Sequence, residues 1–397
     1  MREAKSYDAS AEVSYPAAAF PPPYGQGTLA EVVPSLMASI GSTVMENSLA
    51  LEPARSVCLL LVDGMGWELL MGSSTHAPFL AELAQLARGP LVAGFPATTA
   101  TSLASLGTGM PPGRHGIVGY SFYVPEVGVL NALRWHSHGT QEPVDLRAIL
   151  APEDAQPLPT LFERASASGI SVRMVGPGYQ ARSGLTRAAL RGATYDPVRA
   201  LGDLAAAALR TGAGEFCYVY LGDLDMIGHL YGPRSLAWKL QLGQVDTLAA
   251  SIAERLPTDA VLAVTADHGM ISVKEDDLLD LDAEPELLKG IRHVGGEVRV
   301  RHLYTEPGAT AEVLSRWGET LDGRAEVVSR EAALDEGWFG SCSEPRVYER
   351  IGDVVVAALD SFGIVRRTTE PLESRLIGHH GSFSSAEQLI PFLLLRG

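Results

Sequence analysis

Apolar residues fall along this chain in short unbroken runs, separated by longer stretches of helical period. SVCLLLVDG (56–64) is apolar throughout and stops at Asp-Gly, as a strand buried on both faces does at its turn. EFCYVYLGDLD (215–225) and DAVLAVTADHG (259–269) repeat the pattern, each closing on an acid. ISVRMVGP (170–177) and the final LIPFLLLRG (389–397) read as further strands. Between them, residues 28–50, 77–88, 158–169, 198–211 and 235–256 carry the helical spacing. Strands alternating with helices predict an α/β fold, a doubly wound, mostly parallel central sheet flanked by helices. Over 296–350 the period changes: EVRVRHLYTE alternates, ATAEVLSRWGETL is helical and AEVVSR is strand-like, which predicts a small α+β insertion. IGDVVVAAL (351–359) then returns to an apolar strand. Residues 1–27, with prolines at 16, 21, 22 and 23, read as an extended N-terminal arm, and 28–397 as one catalytic domain.

With 397 residues, 46% hydrophobic and 20% charged, the chain has ample material for a large core. Its net charge of −16 argues against a nucleic acid polymer or an anionic membrane as partner. A small phosphorylated substrate stays compatible, because bound cations reverse a local field. Cys58 and Cys217 lie in the strand-like runs and are expected as core thiols. No apolar run has the length of a membrane span, and the N-terminal stretch lacks the apolar core of a signal peptide. A soluble, cytoplasmic protein is expected. Nothing in the sequence sets an oligomeric state.

Candidate chemistry gathers around GFPATTATSLASLGTGMPPGRHGIVG (94–119). Here a short apolar strand meets Phe95-Pro96, then a cluster of hydroxyls opens an apolar helix. The first backbone N–H groups of a helix are unpaired and attract anions such as phosphate. Thr98 or Thr99 also suits a simple helix cap. Three strand-like runs end near Asp63, Asp225 and Asp267, and open parallel sheets bind ligands beyond those ends. Asp225 and His229 stand four apart, Asp267 and His268 are adjacent, and His379-His380 lie in a glycine-flanked loop. Singly, each acid is a turn former and each histidine a hydrogen-bonding residue. Together, Asp, His and a hydroxyl are the ligand set of zinc or a similar divalent ion, and seven such groups suit a two-metal site for phosphoryl transfer.

As an ordered set, VDGMG, FPATTATSLASLGTGMPPGRHGIVG, DLDMIGHLYGP, TADHG and GHHG resemble the alkaline phosphatase superfamily, and within it the nucleotide pyrophosphatase/phosphodiesterase (type I phosphodiesterase) family. The resemblance covers about 55–270 and 376 to the end. It implies Thr99 as nucleophile, three residues after Pro96. It also implies one metal site on Asp63, Thr99, Asp267 and His268, and a second on Asp225, His229 and His380, with His379 in support. The implied cofactors are two divalent ions, zinc above all, with manganese or iron as alternatives. The implied reaction is hydrolysis of a phosphodiester or pyrophosphate through a covalent phospho-threonine. Relatives carry an aromatic and an asparagine where this chain has Ala100 and Ser102. Both positions are candidate substrate contacts, with Tyr120, Tyr123 or Trp135 as substitute pocket aromatics. A phosphomonoesterase or phosphonate hydrolase is the alternative, for which Arg114 or Arg134 supplies a cation. A metal-stabilised binding protein is the non-enzymatic one.

Overall fold

The computed structural model describes residues 21–140 and 142–397. Most of the expected N-terminal arm therefore lies outside the described residues. The central sheet has six strands, in the order Phe392–Arg396, Ala260–Thr265, Ser56–Val62, Glu215–Leu221, Ser171–Pro177 and Thr194–Val198. All neighbours run parallel except the edge strand Phe392–Arg396, which is antiparallel to Ala260–Thr265. Every residue of Ser56–Val62 and Ala260–Thr265 is buried, because helices cover both faces, and this is why those runs do not alternate. The mostly parallel α/β sheet expected from the sequence is the sheet observed.

Element lengths differ where local chemistry intervenes. The helical signal over 28–50 yields a 3-10 turn at Leu29–Glu31 and a helix at Val32–Ser39 only. Gly41, at a φ of 99°, ends it. The apolar C-terminal run is split into Leu389–Ile390 and Phe392–Arg396, with Pro391 between them. Two features carry no clear hydrophobic period. One is the edge strand Thr194–Val198, which includes Pro197. The other is a three-stranded antiparallel meander of Ser121–Val124, Gly128–Asn131 and His136–Ser137.

A second, antiparallel sheet has the order Ile291–Glu297, Val300–Thr305, Val354–Ala358 and Ala325–Ser329. The apolar run near 354 thus joins this sheet and not the central one. Its alternation serves two cores. Val354 and Val356 face Trp317 of the helix Thr310–Thr320, whereas Val355 and Ala357 face the main core. Among the described residues no helix is long and apolar enough to cross a membrane.

A buried ionic clamp ties these layers together. Glu370 meets Arg301 of the second sheet at 2.9 Å, His138 beside the meander at 3.2 Å and Arg366 at 3.7 Å. Arg301 also donates to the Ile364 carbonyl. Burial opposes the Glu370 charge, but Arg301, His138 and Arg366 outweigh it and hold the carboxyl near 2, below its ordinary 4.5. A depressed carboxyl contributes stability above its unfolded pKa and loses it as pH falls through the folded one. Glu370→Gln leaves Arg301 buried without its counter-charge. It is expected to lower unfolding stability at pH 7 by about 3–5 kcal/mol. Urea unfolding from pH 7 down toward pH 3 checks this. The gap to the parent protein narrows below pH 4.5, and a gap that stays constant contradicts the clamp.

Candidate active site

The strands Ala260–Thr265, Ser56–Val62 and Glu215–Leu221 are neighbours and parallel, so their carboxyl ends emerge on one edge. Asp63 follows its strand directly, and its N–H donates to the Leu221 carbonyl. Asp267 lies two residues past Thr265. Asp225 sits in the first turn of the helix Asp223–Tyr231, which opens just after Leu221. The N–H groups of Gly64 and His268 both donate to one Asp267 oxygen, each at 3.1 Å. Tyr220 donates to one oxygen of Asp63. The remaining oxygens, Asp63 Oδ1, Asp267 Oδ2 and Asp225 Oδ1, are buried with no hydrogen-bond partner.

Three imidazoles point inward at these oxygens. In each, Nδ1 lies against a backbone carbonyl: His229 on Gly378 at 2.7 Å, His268 on Gly269 at 2.9 Å and His380 on Ala97 at 2.9 Å. A carbonyl only accepts, so each Nδ1 carries a hydrogen, and in the neutral ring each Nε2 keeps its lone pair. The Nε2 atoms of His229 and His380 face each other at 3.3 Å. His229 Nε2 lies 3.3 Å from Asp225, and His268 Nε2 lies 3.4 Å from Asp63 and 3.5 Å from Asp267. His379 differs. Its Nε2 turns away to the Leu376 carbonyl.

Thr99 is the first residue of the buried helix Thr99–Thr108, and its Oγ1 lies 3.2 Å from His268 Nε2. With Nδ1–H of His268 committed to Gly269, the threonine hydroxyl is the donor in that bond. Thr98 holds the cap position, but its side chain does not cap the helix. Its hydroxyl donates instead to Glu297, at 3.1 Å. The N–H groups of the first helical turn are therefore not engaged by the cap side chain. Ala100 lines the cavity beside Thr99. Ser102 does not: it is buried inside the helix and its hydroxyl has no partner. The spacing of one turn explains this, since Leu103, four residues after Thr99, takes the cavity-facing position.

The electrostatics fit divalent cations. Burial raises Asp63 well above the ordinary carboxyl range, and the charges of Asp267 and Asp225 raise it further. Burial and Asp225 lift Asp267 to about 7. Burial opposes charge on Asp225 too, but His229, His380 and His268 outweigh it and hold that carboxyl down. Burial likewise works against a charged His229, but Asp225 prevails and lifts it to about 9. Such a cluster calls for positive charge at its centre. Two groups have one ligand atom from each member within 4.8 Å of the others: Asp225, His229 and His380, and Asp63, Asp225 and His268. Asp225 belongs to both.

These residues open onto a cavity of about 890 Å³. Two cavity residues carry no signal in the sequence. Tyr220 holds Asp63. Glu297, at the end of a hairpin strand, is pushed up to about 8 by burial, and one of its oxygens has no partner. Of the other candidates, Tyr120 and Arg134 line the cavity, whereas Arg114, Tyr123 and Trp135 do not. Trp135 is buried, with its Nε1–H donating to the Leu150 carbonyl.

Residues 57–383 match the family model of type I phosphodiesterase / nucleotide pyrophosphatase. Solved structures with a similar fold include murine ectonucleotide pyrophosphatase/phosphodiesterase 5, at 17% identity and a TM-score of 0.62, covering 85% of this chain and 87% of that one. The murine protein has also been solved as an inactive variant in complex with AMP. Phosphonoacetate hydrolase from Sinorhizobium meliloti 1021, in complex with phosphonoacetate, is similar at 18% identity and a TM-score of 0.62, covering 86% of this chain and 90% of that one.

Two glycines set how closely the acid-bearing loops approach. A Cβ on Gly66 falls 2.6 Å from the Gly269 Cα, and one on Gly269 falls 1.9 Å from the Ala386 carbonyl. Gly269→Ala is expected to lower stability by about 1–3 kcal/mol, as overpacking does. Gly202→Ala, in the helix Leu201–Ala208 with open space around it, is expected to raise stability by roughly 0.5–1 kcal/mol. Thermal melts of the two variants check the contrast, and equal shifts refute it.

Proposed function

Because the chain belongs to the type I phosphodiesterase/nucleotide pyrophosphatase family of hydrolytic enzymes, we propose that it cleaves a phosphodiester or pyrophosphate bond of a small substrate with Thr99 as nucleophile. Members of the family are typically dependent on divalent metal ions. In this proposal Asp63, Thr99, Asp267 and His268 hold one ion, and Asp225, His229 and His380 hold the other. Zinc suits the Asp and His set, and manganese or iron would be alternatives. The observation that carries the proposal is the convergence of three Nε2 lone pairs and three unpartnered carboxylate oxygens beside a hydroxyl that opens a helix.

When bound, the two ions would supply Lewis acidity, lowering the pKa of the attacking hydroxyl and neutralising the leaving oxygen. The chain's own part follows from its geometry. The Thr99 Oγ1 attacks phosphorus in line, the bond to the leaving oxygen breaks, and a phospho-threonine forms. The free N–H groups of the first helical turn bind non-bridging oxygens as charge builds on them. The carbonyls of Gly378, Gly269 and Ala97 keep the three imidazoles in one tautomer and orientation. Water then releases the phosphate from Thr99, so two in-line steps give retention at phosphorus.

Phosphonate or phosphomonoester hydrolysis is a second reading. It is favoured by Arg134, whose exposed side chain at the cavity can meet an added negative charge. The cytoplasmic location belongs to the same proposal.

Thr99→Ala is expected to reduce turnover of bis(p-nitrophenyl) phosphate at least about 10³-fold, as loss of a covalent nucleophile does. Thr99→Ser retains part of the activity. Chelation abolishes activity in the parent protein, and zinc or manganese restores it. Near-normal turnover by Thr99→Ala or after chelation sinks the proposal. Adding metal to the stripped protein is also expected to raise its melting temperature, and Asp225→Ala to remove that rise.

A further inference from the structure

Apolar side chains that a folded chain leaves exposed are concentrated at the mouth of this cavity. Among the described residues fifteen large hydrophobic side chains are exposed, and five of them line it: Leu133, Tyr179, Met226, Leu230 and Leu372. Four separate segments supply them. Leu133 comes from the turn between Gly128–Asn131 and His136–Ser137, and Tyr179 from the turn Gly178–Gln180. Met226 and Leu230 come from the helix Asp223–Tyr231, and Leu372 from the loop beside the Glu370 clamp. Convergence of exposed apolar groups from four segments marks a binding surface, since isolated ones scatter. Deeper in, Leu103, Met174, Leu185 and Leu190 continue the apolar wall.

This wall begins at the reacting centre. Met226 follows Asp225 and Leu230 follows His229 on one helix, about 100° round from the ligand face. A group attached to the phosphorus therefore passes directly onto apolar surface. The volume of about 890 Å³ far exceeds what a phosphoryl group fills. A nucleobase would need an aromatic face to stack on, and the cavity offers little. Tyr218 and Tyr220 are buried, Tyr220 is held by Asp63, and the Tyr120 hydroxyl is held by Glu373. Of the tyrosines that line the cavity, Tyr179, 82% exposed on a turn, presents the most open ring. Next to Thr99 stands Ala100, with no ring at all.

We propose that the physiological substrate is a phosphodiester whose second substituent is an alkyl-type apolar group, seated on Leu133, Tyr179, Met226, Leu230 and Leu372. This rests on the phosphodiesterase activity proposed above. It supplies the substrate class which that activity leaves open.

The test uses metal-loaded full-length protein and two parallel series. One is turnover of p-nitrophenyl alkyl phosphodiesters from methyl to octyl, beside p-nitrophenyl thymidine 5′-phosphate. The other is calorimetric binding of methyl alkyl phosphates of the same lengths to the Thr99→Ala protein. Complete burial of a methylene gives about a fourfold gain, so partial burial on an open rim is expected to give about twofold per methylene in kcat/KM and in affinity. Leu133→Ser with Leu372→Ser is expected to bring that factor toward one. A flat series, or a thymidine ester preferred over the octyl ester, overturns the inference while leaving the hydrolase intact. Absence of turnover on every ester overturns the proposed activity instead. The binding series then decides the apolar site by itself: a rise with chain length upholds it and a flat series removes it.

Discussion

Gathering three carboxylates beside one cavity is the constraint on which the rest of this molecule turns. Asp63, Asp225 and Asp267 repel one another, and burial raises the free energy of each charge. The sheet enforces the encounter, because the three strands that deliver them are parallel neighbours with buried faces. Around that point the surroundings are arranged to compensate. Backbone N–H groups engage Asp267, a tyrosine engages Asp63, and three imidazoles are locked with their lone pairs inward. Glycine backbones come close enough that a single methyl would part the loops. A polar centre this demanding is affordable only inside a large, well-covered core.

Much of that centre is legible in the sequence because its logic is local. A run such as LLLVDG states both the buried strand and the acid at its end. The spacing of Asp225 and His229 states a shared helical face, and the structure brings their side chains to 3.3 Å. What is not legible depends on partners distant in sequence. Thr98 looks like a cap, and occupies the cap position, but Glu297 takes its hydroxyl across 199 residues. Glu297 lies at the end of an alternating strand and nothing in its neighbourhood marks it as a cavity residue. Ser102 looks like a substrate contact because of where relatives bear an amide, but the helical turn carries it into the interior. The run at 354 announces a strand buried on both faces without saying in which sheet, and the edge strand at 194 is hidden by its proline and polar residues.

Family membership and cavity shape constrain different things. The matched family model spans the acids, Thr99 and the GHHG loop, and so bears on the reaction class. The cavity rim takes Leu133, Tyr179 and Leu372 from turns and loops outside those motifs and Met226 and Leu230 from the helix of one of them, and it bears on what the reacting group is attached to. Fold similarity to proteins solved in complex with AMP and with phosphonoacetate spans ligands of very different size. A scaffold of this kind keeps its centre and varies its rim.

The strand Val354–Ala358 gives the molecule a mechanical property. Alternate side chains of one five-residue segment are pressed into two different cores, so it acts as a party wall between them. Neither layer can loosen without exposing the apolar face of the other. The same strand pairs with Val300–Thr305, whose hairpin partner ends at Glu297, bonded to Thr98 beside the reacting residue. The segment that reads in the sequence as a small α+β insertion thus joins a sheet whose inner strand belongs to both cores.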